Sequence, residues 1–295
     1  MSPVPRRAPR AAIVAGAIVP LLLAARSAAP EPEPPFAAPS CPAPLGRPVA
    51  LPLRALELAF LGPDRLLALD GAEVALFELG EGGARLLSRA SLPGPLEVVR
   101  APGGLLQASE RDAAAWAMTS RSPRAVLLAV ESGALVEREQ AEALPFPGAP
   151  RGLRFRAGTN LIEGEVEGLG GGPFLDVTGT GTPLAVSPEG RLLAAGAGGA
   201  AARVGPTLAP LWPGLVAASA ASPPGHDDAL LVLTATGTQP LLSCPAPGPV
   251  RAIAARVHGE TARLAVAVDD GEGGSSLLMF ELVHPQPGAQ TPPRP

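Results

Sequence analysis

Three histidines, two cysteines and two acid-rich stretches are the side chains in this 295-residue chain whose types and spacing could do chemistry. His226-Asp227-Asp228 and Asp269-Asp270-Gly271-Glu272-Gly273-Gly274 offer hard carboxylate oxygens, and Ca²⁺ takes about six to eight oxygen ligands. The alternating Asp-x-Asp-x-Asp-Gly spacing of a dedicated calcium loop is missing, so each stretch reads first as a solvated turn. Ca²⁺ is the one cofactor they would suit. His226 and His258 fall at nearly matching places when 216–237 is aligned on 250–271 at an offset of 34 residues. That alignment puts them on equivalent loops and, with Asp227, Asp228, Asp269, Asp270 and Glu272, makes a candidate loop or metal site. His226, His258 and His284 come without a CxxC, HExxH or GxSxG setting. A nucleophile, a base and an orienting group therefore cannot be assembled from them, and no catalytic residue is expected.

Two nucleotide-binding patterns fail on inspection. Gly196-Ala197-Gly198-Gly199-Ala200-Ala201 fits GxGxxA, but that fingerprint needs a following helix to receive the pyrophosphate. Pro206 and Pro210 cut any such helix short, so the stretch reads as a hairpin tip. A Walker A loop needs Lys, and all 23 basic residues are Arg. Trp116 and Trp212 are expected to be packing residues.

Cys41 and Cys244 each sit in the pentapeptide Ser-Cys-Pro-Ala-Pro, at 40–44 and 243–247. Two cysteines in an exported chain are expected to pair. The bridge would close a loop of about 200 residues, for which chain entropy gives roughly 5 kcal/mol. It would staple the start of the folded region to its end.

Export itself is read from the amino terminus. Arg6, Arg7 and Arg10 precede the apolar stretch 11–25, which is followed by Arg26-Ser27-Ala28-Ala29. A basic head, an apolar run too short to span a bilayer comfortably and small residues after it describe a secretory signal, with an uncleaved anchor as the alternative. Segment 1–29 is assigned this role. Its loss removes Arg6, Arg7, Arg10 and Arg26, leaving 19 Arg against 27 acids and a net charge of −8. A surface of that sign argues against nucleic acid as a partner. Segment 30–52 is a Pro-rich linker of extended character, and 285–295 reads as an unstructured tail.

The elements between must be short. Pro (38) and Gly (35) punctuate the chain about every fourth residue, which excludes a helical bundle. One phrase recurs from 53 to 284: an apolar pair, a Pro/Gly/acid turn, then a second apolar run. It appears as 58–69, 98–108, 153–164 and 184–196, and two further copies begin near 216 and 250. Spacings of 31 to 56 residues between copies mark a repeat architecture. RLLALD, AVLLAV, RLLAAG, ALLVLTA and RLAVAV are apolar runs between turn residues, the pattern of strands buried on both faces. Asp70-Gly71, Glu131-Ser132-Gly133 and Asp270-Gly271 read as hairpin turns. Ser109-Glu110-Arg111-Asp112 before AAAWAM reads as a capping box opening a short helix.

Ser187-Pro188-Glu189-Gly190-Arg191-Leu192-Leu193-Ala194 resembles the turn between the first two strands of bacterial WD-repeat-like β-propeller blades. The copies near 216 and 250 resemble weak versions of propeller blades with a Gly/Asp-rich loop. The resemblance spans about 230 residues and implies an all-β fold. The expected architecture is a single β-propeller of five to seven blades, six being the expected number, with the cysteines reinforcing the seam between first and last blades. A pair of β-sandwiches is the alternative. The function expected of such a chain is a non-catalytic, monomeric scaffold in the cell envelope that binds a protein or a surface polymer. It would touch the membrane only through an uncleaved 1–29. A propeller hydrolase or lyase acting on a polysaccharide or small metabolite is the alternative.

Overall fold

A computed structural model of the chain describes residues 41–80, 83–94, 98–122, 124–178, 182–196, 202–221 and 229–285. The signal or anchor segment, the linker up to residue 40, His226, Asp227, Asp228 and the tail from 286 onward lie outside these residues. The described residues hold 24 strands and no helix.

The strands form six antiparallel blades in chain order. The first is β2 (Glu57–Phe60), β3 (Arg65–Leu69), β4 (Glu73–Gly80) and β5 (Gly83–Ser91), paired in sequence. The second is β6 (Gly104–Ser109), β7 (Ala114–Thr119), β8 (Ala125–Glu131) and β9 (Ala134–Ala141). The third pairs β10 (Leu144–Phe146), β11 (Ala149–Phe155) and β12 (Ile162–Glu163), with the small ladder β13 (Glu165–Val166) and β14 (Gly170–Gly171) at its edge. The fourth is β15 (Asp176–Thr178), β16 (Leu184–Val186) and β17 (Leu192–Ala194), extended by a bridge from Arg191 to Arg203. The fifth is β18 (Val204–Pro210), β19 (Leu215–Ala220), β20 (Ala229–Thr234) and β21 (Pro240–Pro245). The sixth is β22 (Val250–His258), β23 (Thr261–Asp269) and β24 (Ser275–Val283), and its outermost strand is β1 (Val49–Leu51) from the start of the domain. Val49 lies opposite Leu277 and Leu51 opposite Ser275, so the first strand closes the last blade. The fold is a six-bladed β-propeller.

Burial along each blade explains the sequence pattern. In blade one, Leu66 to Leu69 of β3 and Val74 to Phe77 of β4 are all buried, while the outer β5 alternates between half-buried and exposed residues. Strands flanked by blades on both sides need apolar residues on both faces; an edge strand needs them on one. The core is accordingly a series of clusters between neighbouring blades. Ala68, Ala75, Ala252, Ala254, Ala265 and Ala267 fill the junction of blades six and one. Leu184, Val186 and Val204 meet Val216 and Leu233 where blades four and five pack.

Four expectations change, the last of them the place of the disulfide. Ser109 to Asp112 does not open a helix: the serine hydroxyl binds the Asp112 carboxylate at 2.6 Å and receives the Asp112 N–H at 3.3 Å, but inside the turn that joins β6 to β7. The same side-chain chemistry serves a turn as well as a cap, and Ala115 and Ala117 of AAAWAM are buried in a central strand. The recurring phrase is also not in constant phase. Its copy at 58–69 spans the first and second strands of blade one, whereas 184–196 spans the second and third strands of blade four. The Ser187–Gly190 turn therefore does not join a first strand to a second. Likewise the 34-residue offset sets β19, a second strand, against β22, a first strand. The third change concerns the segment expected as a linker, whose last residues supply β1.

Cys41 and Cys244 are bonded, with their Cα atoms 5.0 Å apart. Cys244 lies on β21, so the bridge runs to the outer edge of blade five rather than to the seam of first and last blades. Cys41 packs against the cluster that fills the junction of blades five and six.

Candidate functional site

The inner strands of all six blades surround the ring axis. β2, β6, β10, β15, β18 and β22 contribute residues to a cavity of about 170 Å³ there. Two carboxylates face it. Glu57 interrupts the apolar run of β2, and Asp176 sits in Leu-Asp-Val on β15. Blades one and four are three places apart in a ring of six, so the two acids approach the axis from opposite walls.

Asp176 is almost completely buried, and each of its oxygens accepts a backbone N–H: Oδ1 from Val177 at 2.7 Å and Oδ2 from Leu208 at 2.7 Å. The second bond crosses from blade four to blade five. Burial pushes the Asp176 pKa up to about 6, against the pull of those two N–H groups toward the charged form. Glu57 is enclosed by protein yet keeps part of its surface on the channel. Its side chain lies over Gly104 of blade two, where an added Cβ would come within 3.0 Å of Glu57 Cγ. Burial first, and the negative charge of Asp176 second, raise the Glu57 carboxyl well above its ordinary value. Among the described residues, no group donates a hydrogen bond to it.

The channel opens into a wide mouth of about 1300 Å³. Phe60, Ala108, Pro210 and Ala255 line both spaces, so they are continuous. These residues stand late in β2, β6, β18 and β22, which run toward this end of the ring. The mouth is mainly apolar, walled by Leu211, Trp212, Pro213, Leu215 and Val257 among others. Trp212 is held in place: its Nε1 donates to the Gly259 carbonyl at 2.9 Å and its ring meets His284 edge-on at 4.9 Å. It packs, as expected. One ion pair spans the rim. Arg256 Nε and Nη2 reach the two oxygens of Glu110 at 2.7 and 3.2 Å, tying blade six to blade two across the end of blade one.

Among the described residues, those singled out from sequence, His258, Asp269, Asp270 and Glu272, do not converge here. His258 ends β22 at the mouth end of blade six, while Asp269 ends β23 and Asp270 and Glu272 lie in the β23–β24 turn at the other end. Asp269 Oδ2 is taken by Arg251 at 2.7 Å and Arg54 at 3.4 Å, and Oδ1 receives the Gly271 N–H. The Arg251 guanidinium holds the Asp269 carboxyl below its ordinary value. Asp270 Oδ1 receives the N–H groups of Glu272 and Gly274. Those oxygens shape a turn. Glu57 and Asp176 were missed by sequence reasoning; the signal available was a single acid inside an otherwise apolar strand, in ELAF and LDV.

No protein-family model and no curated protein matches the sequence. Similar solved structures include the WD40 β-propeller domain of Doa1, at 9% identity and a TM-score of 0.46 over 81% of this chain and 96% of that one. The β-propeller domain of Myceliophteria thermophila Cps50 (Swd1) is similar at 11% identity and a TM-score of 0.40, over 76% and 83% of the two chains. Kuenenia stuttgartiensis hydrazine synthase is similar at 8% identity and a TM-score of 0.28, over 76% of this chain and 59% of that one.

Proposed function

We propose that this chain is a non-catalytic, exported scaffold of the cell envelope that binds a protein partner at the wide mouth of the ring. The observation that carries the reading is the step from about 1300 Å³ at the mouth to about 170 Å³ at the axis. Pockets that engulf a small ligand run to about 300–1,000 Å³. The neck is below that range, while the mouth is broad, apolar and rimmed by Glu110, Arg256 and Glu167. An apolar centre with a polar rim is the anatomy of a protein-binding surface. Export rests on the sequence of 1–29 and fits the paired cysteines; a single chain closes the ring on itself, which fits a monomer.

A photo-crosslinking residue at Val257, which lines the mouth, should give a discrete adduct in the native cell, and the same residue at Val98, exposed ahead of β6 at the other end of the ring, should not. Equal labelling from both positions would remove the basis for the assignment. Cell fractionation with amino-terminal sequencing of the recovered chain tests export. The second reading, a propeller hydrolase or lyase, is favoured by one observation only: two buried carboxylates opposed across the axis. Turnover lost in Glu57→Gln and Asp176→Asn would establish it.

A further inference from the structure

At the end of the ring opposite the mouth, between blades two and three, lies a cleft of about 420 Å³. Its place follows from strand direction. β7 and β11 run antiparallel to the inner strands, and the cleft is built from the residues that follow or end them. Arg121 and Arg124 come from the segment after β7, and Arg154 and Arg156 from the end of β11 and just beyond. Among the described residues, Glu142 is the only acid lining it. Glu163, on β12 beside the cleft, takes Arg156 at 2.7 Å and lies 4.0 Å from Arg154. Among the described residues, four arginines against Glu142 and Glu163 leave an excess of two positive charges. That excess is local, since the whole chain carries a net charge of −4.

The guanidinium groups are under-used. Arg121 Nη2 meets only the Val99 carbonyl, at 3.4 Å, and its Nη1, Cζ and Cδ lie over Gly71 of blade one, which fixes one edge of the guanidinium. Among the described residues the Arg124 guanidinium has neither an acid nor a carbonyl partner. The hydroxyls beside them are already engaged: Ser120 Oγ accepts the Gly103 N–H and Ser122 Oγ donates to the Arg124 carbonyl. The cleft therefore offers planar N–H forks from two separate segments and few acceptors.

We propose that this cleft binds a phosphate group, as a dianion carried on a larger ligand. A carboxylate is satisfied by one guanidinium fork; a phosphate monoester has three oxygens and two charges, and so uses forks approaching from different sides. The volume lies within the range of small-ligand sites. The proposal does not depend on partner binding at the mouth, which occupies the other end of the ring.

The test is titration calorimetry of the full chain with inorganic phosphate, beside sodium acetate at equal ionic strength. Phosphate is expected to bind and acetate not. Arg121→Ala and Arg124→Ala should each weaken phosphate about tenfold, the loss of one charge-assisted contact. Arg85→Ala, which removes a blade-one arginine paired with Glu78 at 2.7 Å, should leave binding unchanged. Arg124 is exposed, so its variant is expected to fold, and tryptophan fluorescence checks this. Acetate binding as tightly as phosphate, no phosphate binding, or both cleft variants binding like the parent would each overturn the proposal. Co-sedimentation with phosphatidic acid vesicles against phosphatidylcholine vesicles identifies the source. Capture that needs Arg124 assigns a lipid headgroup, and its absence alongside phosphate binding assigns a soluble phosphate.

Discussion

Glu57 and Asp176 face one narrow channel from opposite blades, and neither carboxylate has a cationic partner among the described residues. The ring supplies Asp176 with two backbone N–H groups and leaves Glu57 with none. Burial dominates both, and each is easier to protonate in the folded chain than in the unfolded one.

That relationship sets the pH dependence of stability. The folded-state value of Asp176, about 6, lies above its ordinary 3.8. The associated stabilisation is fully present below the unfolded value and is lost as pH rises through about 6. Glu57 acts in the same direction. Acidifying from about pH 7.5 to about pH 5.5 should therefore raise the thermal midpoint, Asp176 contributing at most about 3 kcal/mol across its whole window. Asp269, held low by Arg251, works the opposite way, but only below the ordinary carboxylate range. Glu57→Gln should raise stability near neutral pH and flatten the slope. A midpoint indifferent to pH in this interval would contradict the account.

The Cys41–Cys244 bridge closes a loop with a sequence separation of 203. Cys41→Ser should lower the urea midpoint, by up to about 5 kcal/mol of unfolding free energy in the chain-entropy model. Cys244→Ser should match it, and the double variant should add nothing further. Reductant should reproduce the shift in the parent and leave the variants unmoved.

Gly205, the second residue of β18, lies close against β19 of the same blade. A Cβ there would lie 2.8 Å from the Ala220 carbonyl oxygen and would press into the Ser219 hydroxyl. Gly205→Ala should cost about 1–3 kcal/mol, the usual scale of overpacking. At Gly94 an added Cβ meets nothing within 4 Å, so Gly94→Ala should stay within about 0.5 kcal/mol. Chemical denaturation of the pair measures the contrast.

The Arg256–Glu110 pair crosses the rim in a bidentate arrangement but is partly open to water, with side-chain exposures of 28% and 43%. A double-mutant cycle should return a coupling below about 1 kcal/mol. A larger value would make the pair a brace of the ring.

Much of the architecture was legible from residues alone. RLLALD, AVLLAV, RLLAAG, ALLVLTA and RLAVAV supply β3, β8, β17, β20 and β23, because a strand walled by two blades must be apolar throughout. The copies of the recurring phrase sample each blade once, so their number survives although their phase does not. Phase was hidden because every hairpin in a blade joins two apolar strands through the same turn chemistry. The 109–112 turn was misread for a related reason, a serine hydroxyl serving a cap and a tight turn alike. The axial acids were illegible in a different way. An isolated Glu or Asp in a strand looks the same whether it faces solvent or an axis, and only ring closure decides which.

Because β1 lies on β24, with Val49 opposite Leu277, the circle cannot shut until residues 275–283 have left the ribosome. Pairing over so great a separation is slow to form, and until it does, β24 presents a bare edge open to any extended strand nearby. A chain interrupted before residue 275 would lack that template and leave blade six two-stranded. Emergence of β24 is thus the step that turns a row of hairpin sheets into a sealed circle.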